Sequence, residues 1–278
     1  MLVLKLLLTP LLIGLVSLAG RRWGVAVSGW LVGLPLTSAP VTLFLALEQG
    51  PAFAAQVAQG TLLGLISQAL FCLAYAWLAF RVNWVGCWLS GWGLFFAATL
   101  VFEQITAPFP LIFAAVIASL ALVLFFMPQT RGLAAASSSP RWEIAGRMVL
   151  ATGLVLALTS AASILGPHLS GLLSPLPVFA TVFAIFTHRF QGARAARQIL
   201  RGVIVSSFAC AVFFLAVIVL IERQGIAAAF GAATLSALLT QGTMLWLLKR
   251  FSFTPAPPGE SNPRSLHRPG PACRRDRA

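Results

Sequence analysis

The sequence predicts an all-α fold, a polytopic transmembrane helical bundle of about nine spans. Of its 278 residues, 59% are hydrophobic and 9% are charged, whereas a water-soluble domain carries roughly 25% charged residues. Apolar runs of bilayer-spanning length recur along the chain. The chain also matches itself after a shift of 142 residues, which predicts two related halves. These observations together predict two inverted four-helix repeats plus a linking helix.

Nine apolar runs bounded by charge, proline or glycine are long enough to cross a bilayer. The predicted spans are 3–20, 24–47, 57–80, 83–102, 106–127, 147–165, 167–188, 202–221 and 225–248. The first run also has features of a secretory signal peptide, because Lys5 is followed by apolar and then small residues. Arg21 and Arg22 follow at once and disfavour export of the next segment. We therefore predict a spanning helix there.

The predicted organisation has four parts. Residues 1–105 form the first repeat, with spans 1–4. Residues 106–146 form the linking span 5 and a cytoplasmic loop over 128–146. Residues 147–250 form the second repeat, with spans 6–9. Residues 251–278 are rich in proline and end in a basic cluster, and because such a composition cannot bury apolar surface, we predict a disordered basic cytoplasmic tail.

Lysine and arginine are distributed unevenly between the two sides of the predicted bundle. Nine spans place the termini on opposite sides, and every Lys and Arg except Lys5 and Arg223 then falls on the side of the C-terminus. Loops rich in Lys and Arg stay in the cytoplasm because their translocation is costly. We therefore predict an N-terminus outside and a C-terminus in the cytoplasm. The net charge of +13 then indicates charge sorting, and no nucleic-acid partner is predicted.

The internal repeat aligns residues 28–81 with residues 170–223 without a gap. Chance matching of apolar residues explains poorly the identities Ser28/Ser170, Gly29/Gly171, Pro35/Pro177, Gln49/Gln191, Gly50/Gly192, Gln56/Gln198 and Arg81/Arg223. Five crossings separate span 1 from its counterpart, span 6, and an odd number inverts the second copy. The charges agree, because the predicted loop Gln191–Arg201 carries three arginines whereas its counterpart Gln49–Gln59 carries none.

Spans 2 and 7 are interrupted by proline at corresponding places. Proline removes a backbone donor and frees carbonyls, which are tolerated in a membrane where they line a cavity or meet polar neighbours. Interrupted helices at corresponding positions of inverted halves indicate a transport site. The candidate substrate path consists of Pro35, Thr37, Ser38, Pro40, Thr42, Ser170, Ser174, Pro175, Pro177 and Thr181. The alternative is two kinked packing helices whose Ser and Thr side chains satisfy their own backbone.

Ionisable residues deep in the membrane would mark ion coupling, but those of this chain fall near predicted span ends. Arg81 and Arg223, which are matched in the repeat, are candidate anion contacts. The alternative is that both side chains only reach to the interface as anchors. We find no paired carboxylates, no Ser/His/Asp set, no phosphate-binding loop and no metal-ligand cluster in the sequence. We therefore predict no enzyme activity, no catalytic residue, no metal and no cofactor.

A short pattern in the second half carries a family resemblance. It runs SGLLSPLP at Ser170–Pro177, then Phe186, then QGARAARQ at Gln191–Gln198, and the first half has a looser version in GWLVGLPLTSAP and EQGPAFAAQ. The pattern resembles the GlpM family of small bacterial inner-membrane proteins of about four spans, here as two fused copies. It departs from the family where Arg194 and Arg197 replace an acid. The resemblance implies a bacterial cell inner-membrane location and a link to exopolysaccharide or glycerol-related metabolism.

The leading functional hypothesis is an integral-membrane permease, or flippase-like protein, that moves a small polar, anionic or amphiphilic solute through spans 2 and 7. The alternative is a non-transporting scaffold or accessory subunit of an envelope or exopolysaccharide system, since small residues suit helix packing. A lipid-modifying enzyme is a weaker option because it needs polar catalytic groups. The predicted partners are the lipid bilayer, anionic lipid head groups at the basic tail, the unidentified solute and a second copy of the chain.

Overall fold

The computed structural model of the chain describes residues 2–32, 34–35, 38–105, 107–128, 142–162 and 176–252. Within these ranges all regular secondary structure is α-helix and no strand occurs, so the predicted all-α class is confirmed. The helices are α1 Leu2–Trp23, α2 Val25–Val32, α3 Ser38–Gln49, α4 Pro51–Leu78, α5 Trp84–Glu103, α6 Phe109–Phe126, α7 Trp142–Ala162, α8 Val178–Gln191, α9 Ala193–Gln224 and α10 Ile226–Ser252. The first two residues of the predicted tail, 251 and 252, are the end of α10, and the rest of that tail lies outside the described residues.

Five of the described helices are long and apolar enough to cross a membrane, which indicates a membrane location. They are α4, α5, α6, α9 and the Ile226–Met244 part of α10, and they correspond to predicted spans 3, 4, 5, 8 and 9. The other four predicted spans are not among them. Span 2 is divided between α2 and α3, and α8 has only 14 residues. The count of nine spans therefore stays a prediction.

The helices α4 and α9 form the centre of the bundle. In the most apolar 18-residue stretch, 67% of α4 and 61% of α9 is buried, against 28% or less for α5, α6 and α10. The two central helices pack together over a long contact. They run antiparallel, because Arg197 Nε near the start of α9 donates to Ala76 O near the end of α4 at 2.6 Å. Since α5 packs on α4, α10 packs on α9 and α6 lies across both, residues halfway along the central pair are shielded from lipid.

Helix ends coincide when one half is shifted by 142 residues onto the other. The coinciding ends are Gln49 with Gln191, Pro51 with Ala193, and Trp84 with Ile226. A single glycine joins the helices at the first two of these places: Gly50 has φ 93° and ψ 169°, and Gly192 has φ 88° and ψ 173°. Such a positive φ is unfavourable for a residue with a Cβ, so glycine is needed at both joints. The two backbones therefore agree residue by residue at these ends.

The two halves contact each other through corresponding helices. α1 packs on its counterpart α7 and α4 on its counterpart α9, while α5 packs on α8 and α3 packs on α10. α1 and α7 are also antiparallel, because Arg21 near the end of α1 lies 3.9 Å from Glu143 at the start of α7. Farther along, Gly14 of α1 faces Met148 of α7. These four contacts thus join either two counterparts or a reciprocal pair of helices, while α2 also packs on α9 and α8, and the counterpart of α2 lies outside the described residues.

Three predicted loop segments are helical, which corrects the predicted boundaries. Residues 51–56 belong to α4, and residues 193–201, with all three arginines of the predicted loop, belong to α9. α7 begins at Trp142, inside the loop predicted over 128–146. The prediction ended each span where charge or polar residues begin. Arginine, glutamine and alanine are nevertheless good helix formers, and a helix continues through them into the interface while the long side chains reach water.

Candidate functional site

The helix of predicted span 2 is broken beside Pro35, as the sequence predicts. α2 ends at Val32, and Pro35 lies in a bend before α3. The amide of Leu34 bonds to the carbonyl of Leu31 at 3.2 Å, a spacing of three residues that tightens the last turn. In a continuous helix that amide would bond to the carbonyl of Trp30, four residues back. The break therefore frees the Trp30 carbonyl in the interior of the bundle.

Gln241 of α10 supplies the donor that the freed carbonyl lacks. Its Nε2 lies 3.1 Å from Trp30 O and 2.9 Å from Ser206 Oγ on α9. Gln241 is 2% exposed, so the amide bonds deep between α2, α9 and α10. A carbonyl without a donor is costly inside a membrane bundle, and Gln241 stabilises the break by removing that cost. We refer to Trp30, Ser206 and Gln241 as the break cluster.

Two polar atoms of the break cluster remain without a hydrogen-bond partner within the described part of the chain. They are Gln241 Oε1, an acceptor, and Trp30 Nε1, a donor, and both atoms are buried. The Trp30 carbonyl fixes the orientation of the Gln241 amide, because only the nitrogen can donate to it. A buried polar atom left unpaired costs about 1–3 kcal/mol. The break cluster therefore has unused capacity both to accept and to donate a hydrogen bond.

Of the second predicted break, the described part of the chain includes only the side toward α8. Leu176 and Pro177 are not helical, and α8 begins at Val178 directly after Pro177. Thr181, one turn into α8, is 1% exposed, and its Oγ1 accepts a hydrogen bond from Trp92 Nε1 of α5 at 2.9 Å. This bond joins the two halves, since α5 belongs to the first and α8 to the second. Thr181 therefore has a partner, unlike the open atoms of the break cluster.

Thr99 of α5 is the counterpart of Gln241 after the shift of 142 residues, and it is also buried and polar. Its Oγ1 donates to Ser67 Oγ of α4 at 3.1 Å. The same position in the two halves thus carries a polar link from the outer helix to the central helix. In the first half the link is a single hydroxyl pair, whereas in the second half the longer amide of Gln241 extends to the broken helix and leaves its oxygen open.

The predicted path residues divide into three groups. Pro35 lies at a helix break, Pro177 directly precedes α8, and Pro40 lies in the first turn of α3, where a proline needs no donor and does not interrupt the helix. Thr42 Oγ1 donates to Ser38 O at 2.8 Å, and both residues are buried, which matches the alternative that such side chains satisfy their own backbone. The path residues outside the described part of the chain are Thr37, Ser170, Ser174 and Pro175.

Arg81 and Arg223 lie too far apart to bind one anion together. Arg81 follows the end of α4 and is close enough to Arg197 for their charges to interact. Arg223 is exposed in the last turn of α9. Arg197 and Arg223 are separated by about 39 Å along that helix at roughly 1.5 Å per residue. The two matched arginines therefore lie at opposite ends of the central pair, and each can contact only ligands at its own end.

A buried ion pair that the sequence analysis missed lies between Glu143 and Arg147 at the start of α7. The two side chains are bonded to each other, and the residues are 2% and 6% exposed. Arg147 also donates to Thr187 Oγ1 at 3.3 Å, and its guanidinium lies 4.6 Å from the Phe183 ring centre. The available signal was a Glu four residues before an Arg, a spacing that places both on one helix face. The predicted loop over 128–146 includes Glu143, and in a loop that spacing does not place two side chains together.

The break cluster was missed for a different reason. Gln241 is an amide within an apolar run, and that was the only sign of it in the sequence. The carbonyl that it bonds to belongs to Trp30, which is 211 residues away along the chain.

Comparisons of the chain with protein-family models, curated proteins and solved structures find no match.

Proposed function

We propose that this chain is an integral-membrane permease that moves a small polar solute along its two helix breaks. The observation that carries the proposal is that the two helices beside the proline residues pack together: α2, which ends before Pro35, contacts α8, which begins after Pro177. Interrupted helices between two inverted halves are the arrangement in which many secondary transporters bind substrate. The five apolar helices long enough to cross a membrane support the bilayer as the site of action.

The inverted arrangement of the halves is part of the proposal, and the packing supports it. A two-fold axis in the membrane plane makes each helix that crosses the axis meet its counterpart in antiparallel orientation. α1 with α7 and α4 with α9 have this relation. The same axis turns a contact between α5 and α8 into one between α3 and α10, and both are present. Because the ends of α1 and α4 meet the starts of their partners, the helices of each pair cross near their middles.

Two hydrogen bonds cross the boundary between the halves beside the breaks. Trp92 of the first half donates to Thr181 of the second, and Gln241 of the second donates to the Trp30 carbonyl of the first. In the proposed mechanism one half rocks against the other, so that the breaks open to each side of the membrane in turn. These two bonds would rearrange during that movement. Both involve neutral groups, which exchange partners at a smaller desolvation cost than charged groups.

The membrane topology forms a separate prediction. We propose nine spans in a bacterial inner membrane, with a cytoplasmic C-terminus, in line with the charge distribution and the GlpM resemblance. Reporter fusions after Glu48, Glu103 and Glu222 are expected to report an outside location. Fusions after Arg81 and Arg250 are expected to report a cytoplasmic location. Alkaline phosphatase and green fluorescent protein fusions, read in parallel, would measure this, and the same side for Glu103 and Arg81 would contradict a membrane crossing by α5.

Transport is expected to depend on the two broken helices. Changing Pro35→Ala together with Pro177→Ala removes a bias of roughly 3 kcal/mol against a continuous helix at each site, so α2 and α3 would tend to join. We expect the flux of the transported solute to fall roughly tenfold or more, because the path depends on the breaks. The measurement is uptake into phosphatidylethanolamine–phosphatidylglycerol proteoliposomes of four probes: erythritol, urea, inorganic phosphate and a fluorescent phospholipid.

The matched control for this double variant is Pro110→Ala. Pro110 is exposed in the first turn of α6, where proline fits a helix without breaking it, so flux should be unchanged. If the wild-type protein moves none of the four probes faster than empty liposomes do, the permease proposal is contradicted. In that case a stable partner of fixed stoichiometry, isolated with the intact protein, would favour the accessory-subunit function instead.

A further inference from the structure

We infer that the break cluster is a binding site for an uncharged, hydroxyl-bearing solute. The inference rests on the proposed permease function and adds to it the location of the site and the class of the substrate. It starts from the two open atoms of the cluster, Gln241 Oε1 and Trp30 Nε1, which are buried without a hydrogen-bond partner in the described part of the chain.

The geometry of the amide defines what the site can bind. Gln241 Nε2 is held by Trp30 O at 3.1 Å and by Ser206 Oγ at 2.9 Å, so the side chain is anchored at its nitrogen and its oxygen is left as an acceptor without a partner in the described part of the chain. The indole nitrogen of Trp30 is the other open atom of the break cluster and offers a donor. A hydroxyl group both donates and accepts. A solute that bears several hydroxyls can therefore pair with each open atom.

The absence of charge in the cluster selects a neutral ligand. All the hydrogen bonds described for Gln241 go to a backbone carbonyl and to a hydroxyl, and neither of these groups ionises at neutral pH. A charged solute without an opposite charge nearby would pay a large desolvation cost in the membrane interior. The desolvation cost of a neutral polyol is much smaller. Arg81, Arg197 and Arg223 lie at the ends of the central helices and do not offset this cost. Arg201 is nearer, about 7.5 Å before Ser206 at roughly 1.5 Å per residue, but none of the hydrogen bonds described for Gln241 involves it.

The position of the cluster fits a site that both sides of the membrane reach in turn. Ser206 lies about 20 Å from the start of α9 at roughly 1.5 Å per residue, close to the middle of a helix that is long enough to cross the bilayer. The cluster also joins the two halves, because Trp30 belongs to the first and Gln241 to the second. Within the described residues, the corresponding link between Thr99 and Ser67 leaves no such atom without a partner.

The test compares Gln241→Leu with the matched control Thr99→Val. Erythritol is the hydroxyl-bearing probe, urea the neutral probe without hydroxyls, and inorganic phosphate the anionic probe. For Gln241→Leu we expect erythritol flux into proteoliposomes to fall roughly tenfold, the order of effect of one or two lost neutral hydrogen bonds. Thr99→Val should keep wild-type flux. Binding is measured separately, as the increase in melting temperature that millimolar erythritol causes in the detergent-solubilised protein.

A second variant, Trp30→Phe, tests the site independently in case Gln241→Leu does not fold. It removes the indole donor and leaves the Trp30 carbonyl and its bond to Gln241 in place. We expect it to lose the erythritol-dependent increase in melting temperature while the protein without erythritol still folds. Equal erythritol effects in Trp30→Phe and wild-type protein would overturn the site, as they would mean that the open atoms bind only a structural water.

The outcomes separate this inference from the proposed function. Erythritol flux that is unchanged in Gln241→Leu would contradict the proposed binding site without contradicting the permease function. Erythritol binding that depends on Gln241 without any flux would keep the site and contradict transport. A Gln241-dependent flux of urea or phosphate, with no effect of erythritol, would overturn the hydroxyl-bearing class of substrate.

Discussion

Replacing Glu143 by alanine is expected to lower the free energy of unfolding by about 3–5 kcal/mol, the usual cost of leaving one partner of a buried ion pair uncompensated. Arg147 is 6% exposed, so its charge would stay buried without its carboxylate. The contacts of Arg147 with Thr187 and the Phe183 ring replace only part of that interaction. A fall of the melting temperature by roughly 10 °C corresponds to a change of this size in a chain of this length.

The measurement is thermal unfolding of the purified protein in detergent. Glu222→Ala is the matched control, because Glu222 is exposed near the end of α9 and its loss should leave the melting temperature nearly unchanged. The double variant Glu143→Leu with Arg147→Met should recover most of the lost stability, since a neutral pair of similar volume avoids the desolvation cost. Equal melting temperatures for Glu143→Ala and Glu222→Ala would show that the ion pair is not buried in the protein.

Replacing Gly29 by alanine is expected to separate α2 from α9. A Cβ at Gly29 would lie 2.8 Å from both the carbonyl carbon and the Cα of Ile199. These are backbone atoms of a central helix, so they cannot move aside as a side chain can, and overpacking of this kind costs typically 1–3 kcal/mol or more. Because Trp30 follows Gly29, the same change should also weaken the bond between Trp30 and Gln241. Both the melting temperature and solute flux should fall.

The control for this change is Gly231→Ala in α10. A Cβ at Gly231 would meet no heavy atom within 4 Å, and alanine favours a helix over glycine by up to about 1 kcal/mol. The melting temperature should therefore stay the same or rise slightly. If Gly29→Ala behaves like Gly231→Ala in both measurements, α2 and α9 do not approach as closely as described, and the contact that places the break cluster is absent.

The break beside Pro35 and the start of α8 after Pro177 were predictable because their cause is local. Pro35 and Pro177 lack the backbone donor that a helix needs at those places, and no contact with another segment is required to see this. The starts of α4 and α9 were not predictable from hydropathy. Polar and charged residues end an apolar run, but the backbone hydrogen bonds of a helix do not depend on the polarity of its side chains. For the same reason, hydropathy does not predict the first turn of α7, which begins at Trp142.

The candidate site was less predictable than the breaks. Nothing local indicates that Gln241 meets the carbonyl freed next to Pro35, because the meeting depends on how α2, α9 and α10 are packed in register. The pairing of Glu143 with Arg147 is local and could have been read from their spacing. Their burial depends on α8, which supplies Phe183 and Thr187. The repeat indicates which positions correspond, but it does not show that Thr99 is fully paired while Gln241 has an open oxygen.

The joints at Gly50 and Gly192 have a mechanical consequence. A connector of one residue is too short to let the two helices move independently. A shift of α3 must therefore also move α4, and a shift of α8 must also move α9. Gly192 precedes the Arg197 end of α9, whereas Gly50 precedes the start of α4 at the other end of the antiparallel pair. Each end of the antiparallel pair therefore has one such single-residue connection. A displacement of α3 or α8 at one end would be transmitted along the attached central helix to the other end.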